Sequence, residues 1–559
     1  MKKYMFFCLI LMTTGIVNSQ ILNWVKQSIG TSDERSYSIA RDASGNVYTI
    51  GYYSGSVDFD PGPAIYNLTC AGSQPNTFIS KLDASGNFVW AKSLGGISDC
   101  YGQCVVTDAS GNVYCCGYFQ LTADFDPGPG TFNLTPVGNY DAFICKLDAS
   151  GNFLWAIQLG GTGLDVAWTL VPDVQGNTYC TGYFNGTVDF DPGSGTYNLT
   201  SAGGTDAYIV KLDASGNFVW AAQQGGSSTD GGRYLKLDAT GNIYITGYFS
   251  ANADLDPGTG TFNVTSVGME DIFVCRLNTS GGLVWAKQFG GPSTDYGRSI
   301  VLDASGNIYT TGSFQGTTDF DTGPGTFNLT SNGMEDIFIH KLNSSGNFIW
   351  AQQFGGASFD FGWSIAVDNS GSVYTAGSFR NTVDFDPGTG VFNLTSFGLD
   401  DVFINKLTSS GNFVWTAQMG GDGWDICRSL TVDVSGSIYS TGYFKDTADY
   451  DPGVNTTILI STAGNDDVFI HKMTQSMVSA LENSTLADIR IYPNPSYGKF
   501  LIEAKGELVI CNIIGKVIFS QELTDEKTEI DLSQHPPGVY CVKIITEKGV
   551  YSQKILIQH

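Results

Sequence analysis

The stretch Asp58-Phe-Asp-Pro-Gly62 recurs along the chain with a period of 65 or 66 residues. This tag, Asp-x-Asp-Pro-Gly, begins seven times, at Asp58, Asp124, Asp189, Asp254, Asp319, Asp384 and Asp449. Only the fifth copy departs from it, with Thr322 in place of the proline. A repeat of this length is one supersecondary unit that cannot bury its apolar side alone, so neighbouring units must stack against each other.

Each repeat unit predicts four main β-strands. In the fifth unit, β-branched and aromatic residues dominate four short runs, at 298–302, 308–312, 336–342 and 348–354. Such runs, separated by Gly/Asn/Ser clusters, are typical of antiparallel strands joined by tight turns. In the turn Asp303-Ala-Ser-Gly-Asn307, aspartate accepts a backbone hydrogen bond and glycine supplies the positive φ. The tag predicts an additional small hairpin, and the repeats have no sustained helical periodicity.

Seven units of four strands predict an all-β fold, a seven-bladed β-propeller over residues 20–475, with a solenoid as the alternative. A tryptophan strand occurs at Trp24, Trp90, Trp155, Trp220, Trp285, Trp350 and Trp415. A second strand pattern, Phe-Ile-x-Lys-Leu, occurs at Phe78, Phe143, Tyr208, Phe273, Phe338, Phe403 and Phe469. One tryptophan strand therefore precedes the first unit, and none follows the last. Because only a closed ring uses this offset, we expect the strand around Trp24 to pair with the strand around Phe469 and complete the last blade.

These repeats resemble a bacterial β-propeller repeat family known as SBBP. The resemblance is carried by segments such as Val367-Asp-Asn-Ser-Gly-Ser-Val-Tyr374 and Phe218-Val-Trp-Ala221, and it extends over residues 21–473. It implies a propeller fold and little more, because the family has no common activity.

The chain is strongly acidic, with a formal net charge of −26 and a pI near 4.3. Most of its 54 acidic residues occupy repeat positions and are therefore spread evenly around the fold. An evenly acidic surface disfavours binding to nucleic acid or to anionic membranes. Solubility is the simpler interpretation of this charge.

The N-terminus predicts a secretory signal peptide over residues 1–19. A basic start at Met1-Lys-Lys3 precedes an apolar run, and small residues follow at Val17-Asn-Ser19. Cys8 lies inside the apolar run, which does not fit a lipoprotein cysteine. No later stretch is apolar enough over sufficient length to span a bilayer, so we expect no transmembrane segment.

Eleven of the twelve cysteines remain after cleavage of the signal peptide. They do not follow the repeat period, so they are not a framework of the fold. Pairing of Cys104 with Cys115 or Cys116 across neighbouring strands is one hypothesis. Buried free thiols acting as small apolar side chains are the other, and the absence of CxxC pairs disfavours zinc.

The C-terminal region predicts a linker over residues 476–487 and a small β-sandwich over 488–559. It resembles the type A sorting domain of the type IX secretion system of Bacteroidetes. The residues that carry this resemblance include Tyr492, Pro493, Asn494, Pro495, Gly515, Gly538, Tyr540 and Lys554. The resemblance implies recognition by the type IX secretion machinery and passage across the outer membrane, with release or attachment at the outer cell surface. A plain β-sandwich binding domain, and a Cys511–Cys541 pair, are the remaining hypotheses.

The paired aspartates of the tags are weak candidates for calcium binding. Carboxylates two residues apart on a strand point the same way, and hard oxygen ligands suit Ca²⁺. Asp58, Asp60, Asp189 and Asp191 represent this hypothesis. The alternative is a Pro-Gly turn closed by aspartate, which needs no metal.

One position at the start of the first strand varies between units, whereas the surrounding scaffold repeats. Its occupants are Tyr37, Gln103, Trp168, Arg233, Arg298, Trp363 and Arg428. Because the first strand of a propeller blade is usually innermost, these seven side chains, the mouth residues, are expected at one mouth of a central channel. Seven aspartates lie just upstream, at Asp33, Asp99, Asp165, Asp230, Asp295, Asp360 and Asp425. The mouth residues suit recognition of a sugar or peptide, or else they plug the channel and pair with these aspartates.

No catalytic motif breaks the regularity of the repeats. Glu270 and Glu335 occupy matching positions that predict solvated surface turns. We therefore expect a binding module for a glycan or protein, without catalysis and without a cofactor other than the weak calcium candidates. An extracellular polysaccharide-acting enzyme at the channel mouth and a purely structural or adhesive module are the alternatives.

Overall fold

The computed structural model describes residues 17–453, 455–478, 489–494, 496–512, 517–525, 527–546 and 549–558. The described chain is all β, and its one helical element is the short 3-10 turn Thr462–Gly464. It forms two compact units, one of which is Gln20–Gln475 and the other of which contains the residues from Ser476 onwards. Most of the predicted signal peptide (1–16) and of the predicted linker (479–487) lies outside the described residues.

Each repeat unit contributes four antiparallel strands, named first to fourth from the innermost outwards. The first strands are Glu34–Arg41, Cys100–Thr107, Val166–Pro172, Gly231–Leu237, Tyr296–Leu302, Phe361–Val367 and Ile426–Val432. The second strands are Val47–Tyr53, Val113–Phe119, Thr178–Asp189, Ile243–Asp254, Ile308–Asp319, Val373–Asp384 and Ile438–Lys445. The third strands are Asn76–Leu82, Asp141–Leu147, Asn198–Leu212, Asn263–Leu277, Asn328–Leu342, Asn393–Leu407 and Asp466–Val478. The fourth strands are Val17–Gln27, Phe88–Gly96, Phe153–Gly161, Phe218–Gly226, Leu283–Phe289, Phe348–Phe354 and Phe413–Gly421.

The tags lie in small hairpins at the outer side of each unit. In the third to sixth units the second and third strands extend through the tag, so that Asp319 pairs with Asn328 in the fifth. In the other units the tag strands are separate, at Ile29–Gly30, Ser56–Asp58, Asn67–Thr69, Ala123–Asp124, Asn133–Leu134, Thr447–Asp449 and Ile458–Ile460. The predicted additional hairpin is thus present.

The two ends of the repeat region meet in one sheet. The strand Val17–Gln27 pairs with Asp466–Val478, which confirms the pairing predicted from Trp24 and Phe469. The first strand of every unit contacts that of the next unit, and the seventh contacts the first. Two side-chain contacts complete this closure: Lys472 Nζ donates to Ala84 O at 3.3 Å, and Ile39 N donates to Ser429 Oγ at 3.3 Å.

The apolar core lies between neighbouring units. One buried cluster combines Tyr244 and Val274 of the fourth unit with Ile300 and Phe338 of the fifth. Burying one such side chain stabilises the fold by roughly 2 kcal/mol. A single unit would expose this surface, which explains why the units stack.

The C-terminal unit contains two antiparallel sheets. One consists of Arg490–Tyr492, Lys499–Glu503 and Thr528–Asp531, and the other of Val517–Leu523, Gly506–Cys511, Gly538–Thr546 and Gly549–Ile557. Both sheets contribute side chains to one apolar cluster, for example Phe500 and Ile530 from the first sheet and Leu508 and Val542 from the second. The two sheets therefore share a core.

The predicted sorting residues are partly described. Tyr540 is buried and donates to Pro536 O at 2.6 Å, while Asn494 Oδ1 accepts a hydrogen bond from Leu556 N at 2.9 Å. Cys511 lies directly opposite Cys541 on the neighbouring strand. Pro495 and Gly515 lie outside the described residues. Within the described part of the chain, no helix is both long and apolar enough to cross a bilayer.

Candidate functional site

Every first strand contains a β-bulge, and the bulged residue is a mouth residue. In the fifth unit Gly297 pairs with Gly312 and Ser299 with Thr311, so Arg298 between them has no partner residue. The same shift in register leaves out Tyr37, Gln103, Trp168, Arg233, Trp363 and Arg428 in the other units. A bulge bends its strand and re-aims the extra side chain. The mouth residue, which varies between units, is therefore the residue that has no pairing partner in the sheet.

A glycine on the second strand permits this bulge. A Cβ atom at Gly312 would lie 1.8 Å from Tyr296 O and 3.0 Å from the Phe338 ring. The equivalent residues, Gly51, Gly117, Gly182, Gly247, Gly377 and Gly442, show the same close approach to a first-strand carbonyl. The glycine that repeats on each second strand is thus required by the close approach of the bulged first strand.

All seven mouth residues line one central pocket. Ser38, Cys104, Thr169, Tyr234, Ser364 and Ser429 complete its lining. The free space in this pocket is about 70 Å³. Ligand pockets for whole small molecules measure roughly 300–1,000 Å³, so this pocket has room only for a small group.

Arginine and aromatic side chains stack inside the pocket. The Trp363 ring lies between two guanidiniums, with Arg428 Cζ 3.7 Å and Arg298 Cζ 4.1 Å from the ring centroid. Arg428 also lies 5.0 Å from the Tyr37 ring, and Arg233 lies 3.8 Å from the Trp168 ring. Cation–π contacts of this kind hold the guanidiniums in place but do not neutralise their charge.

The pocket concentrates positive charge. Burial, with repulsion from Arg233 and Arg428, lowers the pKa of Arg298 to about 9, although Glu335 opposes the shift. Burial also lowers the pKa of Arg233, and Arg428 contributes to that shift. Since guanidinium groups stay protonated in proteins, these shifts indicate that the charges of Arg233 and Arg298 are incompletely compensated.

Among the described residues, Glu335 is the only carboxylate that forms an ion pair with one of these three arginines. It lies 3.8 Å from Arg298 and accepts a hydrogen bond from Ser313 Oγ, and its side chain is 17% exposed. The interpretation of Glu335 as a solvated surface charge is therefore wrong. Glu335 lies in the middle of the third strand Asn328–Leu342, directly before the buried run that starts at Asp336. Glu270, at the matching position, accepts a hydrogen bond from Thr294 Oγ1 at 3.0 Å.

The upstream aspartates do not pair with the mouth arginines, so that part of the plug hypothesis is wrong. Asp230 accepts hydrogen bonds from Gly226 N at 2.7 Å and from Ser250 N at 3.0 Å. Asp165, Asp295, Asp360 and Asp425 bind main-chain N–H groups at the equivalent positions. Asp33 accepts from Asp466 N, and Asp99 accepts from the Tyr140 hydroxyl. In these five units, the third to the seventh, the carboxylate thus joins the end of the preceding fourth strand, or the residues just after it, to the second strand of its own unit.

The tag aspartates also bind the main chain. Asp58 Oδ1 accepts from Asp60 N at 3.0 Å and from Tyr66 N at 2.8 Å, and Asp60 Oδ1 accepts from Gly62 N at 2.8 Å. Asp189 and Asp191 have the equivalent partners. Across the described residues, no group of three or more His, Cys, Asp or Glu side chains is placed to hold a metal ion. The geometry is that of aspartate-closed turns.

A collar of tyrosines around the pocket was missed in the sequence. Its members are Tyr52, Tyr101, Tyr118, Tyr140, Tyr183, Tyr248 and Tyr296, all partly exposed. Their rings contact one another, as in Tyr101–Tyr118 at 5.1 Å, and they contact the pocket lining, as in Trp168–Tyr183 at 6.2 Å. A signal was present: the residue after the second-strand glycine is tyrosine in five units but Ser313 and Ser378 in the other two.

The repeat-region cysteines are buried free thiols. They are Cys70, Cys100, Cys104, Cys115, Cys116, Cys145, Cys180, Cys275 and Cys427. Cys116 lies directly opposite Cys104, and Cys115 lies opposite Cys145, on neighbouring strands. Of these cysteines, only Cys104 lines the central pocket.

Two family matches agree with this architecture. Residues 490–558 match the secretion system C-terminal sorting domain, and residues 284–320 and 349–378 match the beta-propeller repeat. The chain is thus a β-propeller repeat protein with a C-terminal sorting domain. That domain directs export by type IX secretion, either to the cell surface or as a secreted product.

Three curated proteins are similar to parts of this chain. An uncharacterized WD repeat-containing protein, L264, from Acanthamoeba polyphaga mimivirus is 24% identical over 77% of this chain and 36% of its own length. Regulatory protein FlaEY from Caulobacter vibrioides is 26% identical over 40% of this chain and 23% of its own length. Ulvan lyase NLR42 from Nonlabens ulvanivorans is 23% identical over 39% of this chain and 38% of its own length. The chain thus spans well under half the length of each relative.

Among solved structures, BamB from Moraxella catarrhalis and a puromycin hydrolase align with this chain. BamB has 12% identity and a TM-score of 0.31, with coverage of 79% of this chain and 99% of its own. The puromycin hydrolase has 10% identity and a TM-score of 0.40, with coverage of 85% of this chain and 59% of its own.

Proposed function

We propose that this protein is an exported binding module without catalysis of its own. Its repeat region, residues 20–475, is a seven-bladed β-propeller that binds a glycan or protein ligand at the channel mouth. Its C-terminal residues 488–559 form a small β-sandwich that the type IX secretion machinery recognises. The observation that carries the binding role is the convergence of seven bulged side chains, one from each unit, on a single pocket.

The contrast between scaffold and mouth supports this role. Asp and Gly positions that repeat in every unit hold the turns, whereas the bulged position differs between units and faces the shared pocket. The tyrosine collar adds partly exposed aromatic surface beside the pocket. Aromatic side chains with a polar tip are common at recognition surfaces.

The enzyme alternative has one point in its favour, the similarity to a protein named as an ulvan lyase. The pocket lining, however, contains no His, Asp or Glu side chain that would act as a general acid or base. The nearest carboxylate, Glu335, is held by Arg298 and by Ser313. The chemistry of the lining therefore favours binding over catalysis.

A glycan array tests the binding role. The mature chain, residues 20–559, is applied to the array with and without calcium, beside Trp363→Ala and a control variant, Tyr197→Ala. Tyr197 lies 40% exposed on a tag hairpin and outside the pocket lining. We expect selective binding that Trp363→Ala reduces at least tenfold while Tyr197→Ala leaves it unchanged.

The thermal unfolding midpoint of each variant is measured in parallel, so that loss of binding is separated from loss of fold. If the folded Trp363→Ala protein keeps its selective binding, the ligand binds at a site other than the channel mouth. Silence across the array, with no protein ligand retained by a column of the mature chain, would favour the purely structural module.

A further inference from the structure

We propose that the central pocket holds one oxyanion group of an acidic glycan, bound by Arg233, Arg298 and Arg428. The inference rests on the proposed function of the mouth and names the ligand's chemistry. The sugar ring that carries the oxyanion packs on the tyrosine collar outside the pocket.

Positive charge is scarce in this chain, and the pocket concentrates it. The sequence contains eight arginines in a chain of net charge −26, and three of these eight line one pocket of about 70 Å³. No acidic residue lines the same pocket. Mutual repulsion of three guanidiniums costs stability unless a counter-charge lies among them, so the arrangement is a preformed anion site.

The lining also has an excess of hydrogen-bond donors. Among the described residues, no carboxylate lies within 4.0 Å of the guanidinium of Arg233 or Arg428, and neither group donates a hydrogen bond to protein. The buried Nε1 atoms of Trp168 and Trp363 and the buried Nε atom of Arg298 have no partner. Buried donors are almost always satisfied in folded proteins. A ligand that offers only acceptors, as a carboxylate or sulfate does, complements the guanidiniums of Arg233 and Arg428. The three unpartnered atoms lie beneath the surface of the pocket and add unmet donors around it.

The size of the pocket limits what enters. A free space of about 70 Å³ suits a single carboxylate or sulfate but not a sugar ring. The remainder of the ligand must lie outside, where the collar begins: Trp168 lies 6.2 Å from Tyr183 and 6.5 Å from Tyr118. Flat aromatic faces suit the apolar face of a pyranose, which favours an acidic sugar over a peptide carboxylate.

Calorimetric titration of the mature chain tests this ligand chemistry. The probes are D-glucuronate, D-glucose 6-sulfate, D-glucose and N-acetylglycine, at equal ionic strength. We expect at least one of the two anionic sugars to bind ten times or more tightly than D-glucose, and the preferred one identifies the oxyanion. We expect N-acetylglycine, a carboxylate without a sugar ring, to bind more weakly than that sugar.

Arg233→Gln and Arg428→Gln are the test variants, and Arg276→Gln is the control. Arg276 lies over the Tyr244 ring and outside the pocket lining. We expect each test variant to weaken binding of the anionic sugar tenfold or more and to keep its unfolding midpoint, because it loses no ion pair. The control should bind as the parent does.

Two results would overturn the inference and leave the proposed function intact. One is equal binding of D-glucose and both anionic sugars that Trp363→Ala abolishes, which would mean a neutral glycan at the mouth. The other is binding of N-acetylglycine in preference to every sugar, which would mean a peptide carboxylate. Absence of binding for all four probes, together with a silent glycan array, would overturn both proposals.

Discussion

The tag aspartates and the mouth residues represent opposite uses of a repeated position. Asp254 accepts hydrogen bonds from Asp256 N at 3.0 Å and Phe262 N at 2.7 Å, and its counterparts do the same in the other units. Arg233, one strand further in, has no partner residue in the sheet. The aspartate is the same in all seven units, whereas the bulged residue takes four identities in seven units: Tyr, Gln, Trp, Arg, Arg, Trp and Arg in chain order.

The difference shows where a repeat fold leaves room for function. A position whose side chain closes the backbone has its identity fixed by the unit itself. The side chain at a bulged position does not close the backbone. Its identity is therefore constrained only by the pocket that it lines. The predictions below test this division, from the largest expected effect to the smallest.

The largest effect is expected where the bulge meets its glycine. A Cβ atom at Gly247 would lie 2.0 Å from Gly231 O and 2.9 Å from the Phe273 ring, so Gly247→Ala must displace the first strand. We expect the free energy of unfolding to fall by roughly 3 kcal/mol or more, measured by chemical denaturation.

Gly436→Ala is the matched control for that substitution. Gly436 has φ of +81° but nothing within 4 Å of an added Cβ, so only backbone strain applies. We expect a loss of about 1 kcal/mol. Equal losses in the two variants would mean that the close approach at the bulge is not what fixes the glycine.

A smaller effect is expected at the tag. Asp254→Ala leaves two backbone N–H groups without their acceptor, and we expect a loss of about 2 kcal/mol. Asp254→Asn keeps an acceptor oxygen in place, and we expect a loss below about 0.5 kcal/mol. Because the carboxylate serves the turn, millimolar calcium or a chelator should not change the unfolding midpoint of the parent chain. A midpoint that rises with calcium and falls with the chelator would restore the metal hypothesis.

The sequence predicted much of this arrangement because periodicity constrains it. The offset of Trp24 was enough to predict its pairing with the strand around Phe469, since a ring needs that pair. The variation at the mouth residues was enough to predict that all seven line one site, since equivalent positions in stacked units face the same way. The seven-bladed propeller and the small C-terminal β-sandwich belong to the proposed function.

Partner choice within the site was not predictable in the same way. Asp230 had two possible uses, a salt bridge to Arg233 or hydrogen bonds to main-chain N–H groups, and the sequence does not rank them. In the structure Asp230 accepts from Gly226 N and Ser250 N, on two strands that flank it, whereas Arg233 lies at the bulge and lines the pocket. The contact of Glu335 with Arg298 and the position of the tyrosine collar beside the pocket also follow from the bulged first strands, so the sequence did not predict them.

The smallest effect concerns buried carboxyl pairs, five of which recur between neighbouring units and are not fully satisfied. Asp206 Oδ1 is buried without a partner, and burial raises the pKa of Asp206 to about 6 and that of the neighbouring Asp230 to about 7. A carboxyl whose pKa is higher in the folded state stabilises the fold below its unfolded pKa near 4, and this stabilisation is lost as the pH rises through the folded pKa.

We therefore expect the unfolding midpoint of the mature chain to fall by several degrees between pH 5 and pH 8. Asp206→Asn keeps an acceptor for Gln223 and Ala202 without the charge, and should flatten this slope in proportion to one pair among the repeats. A midpoint that rises over this range, or a slope that Asp206→Asn leaves unchanged, would mean that these carboxyls are ionised in the fold.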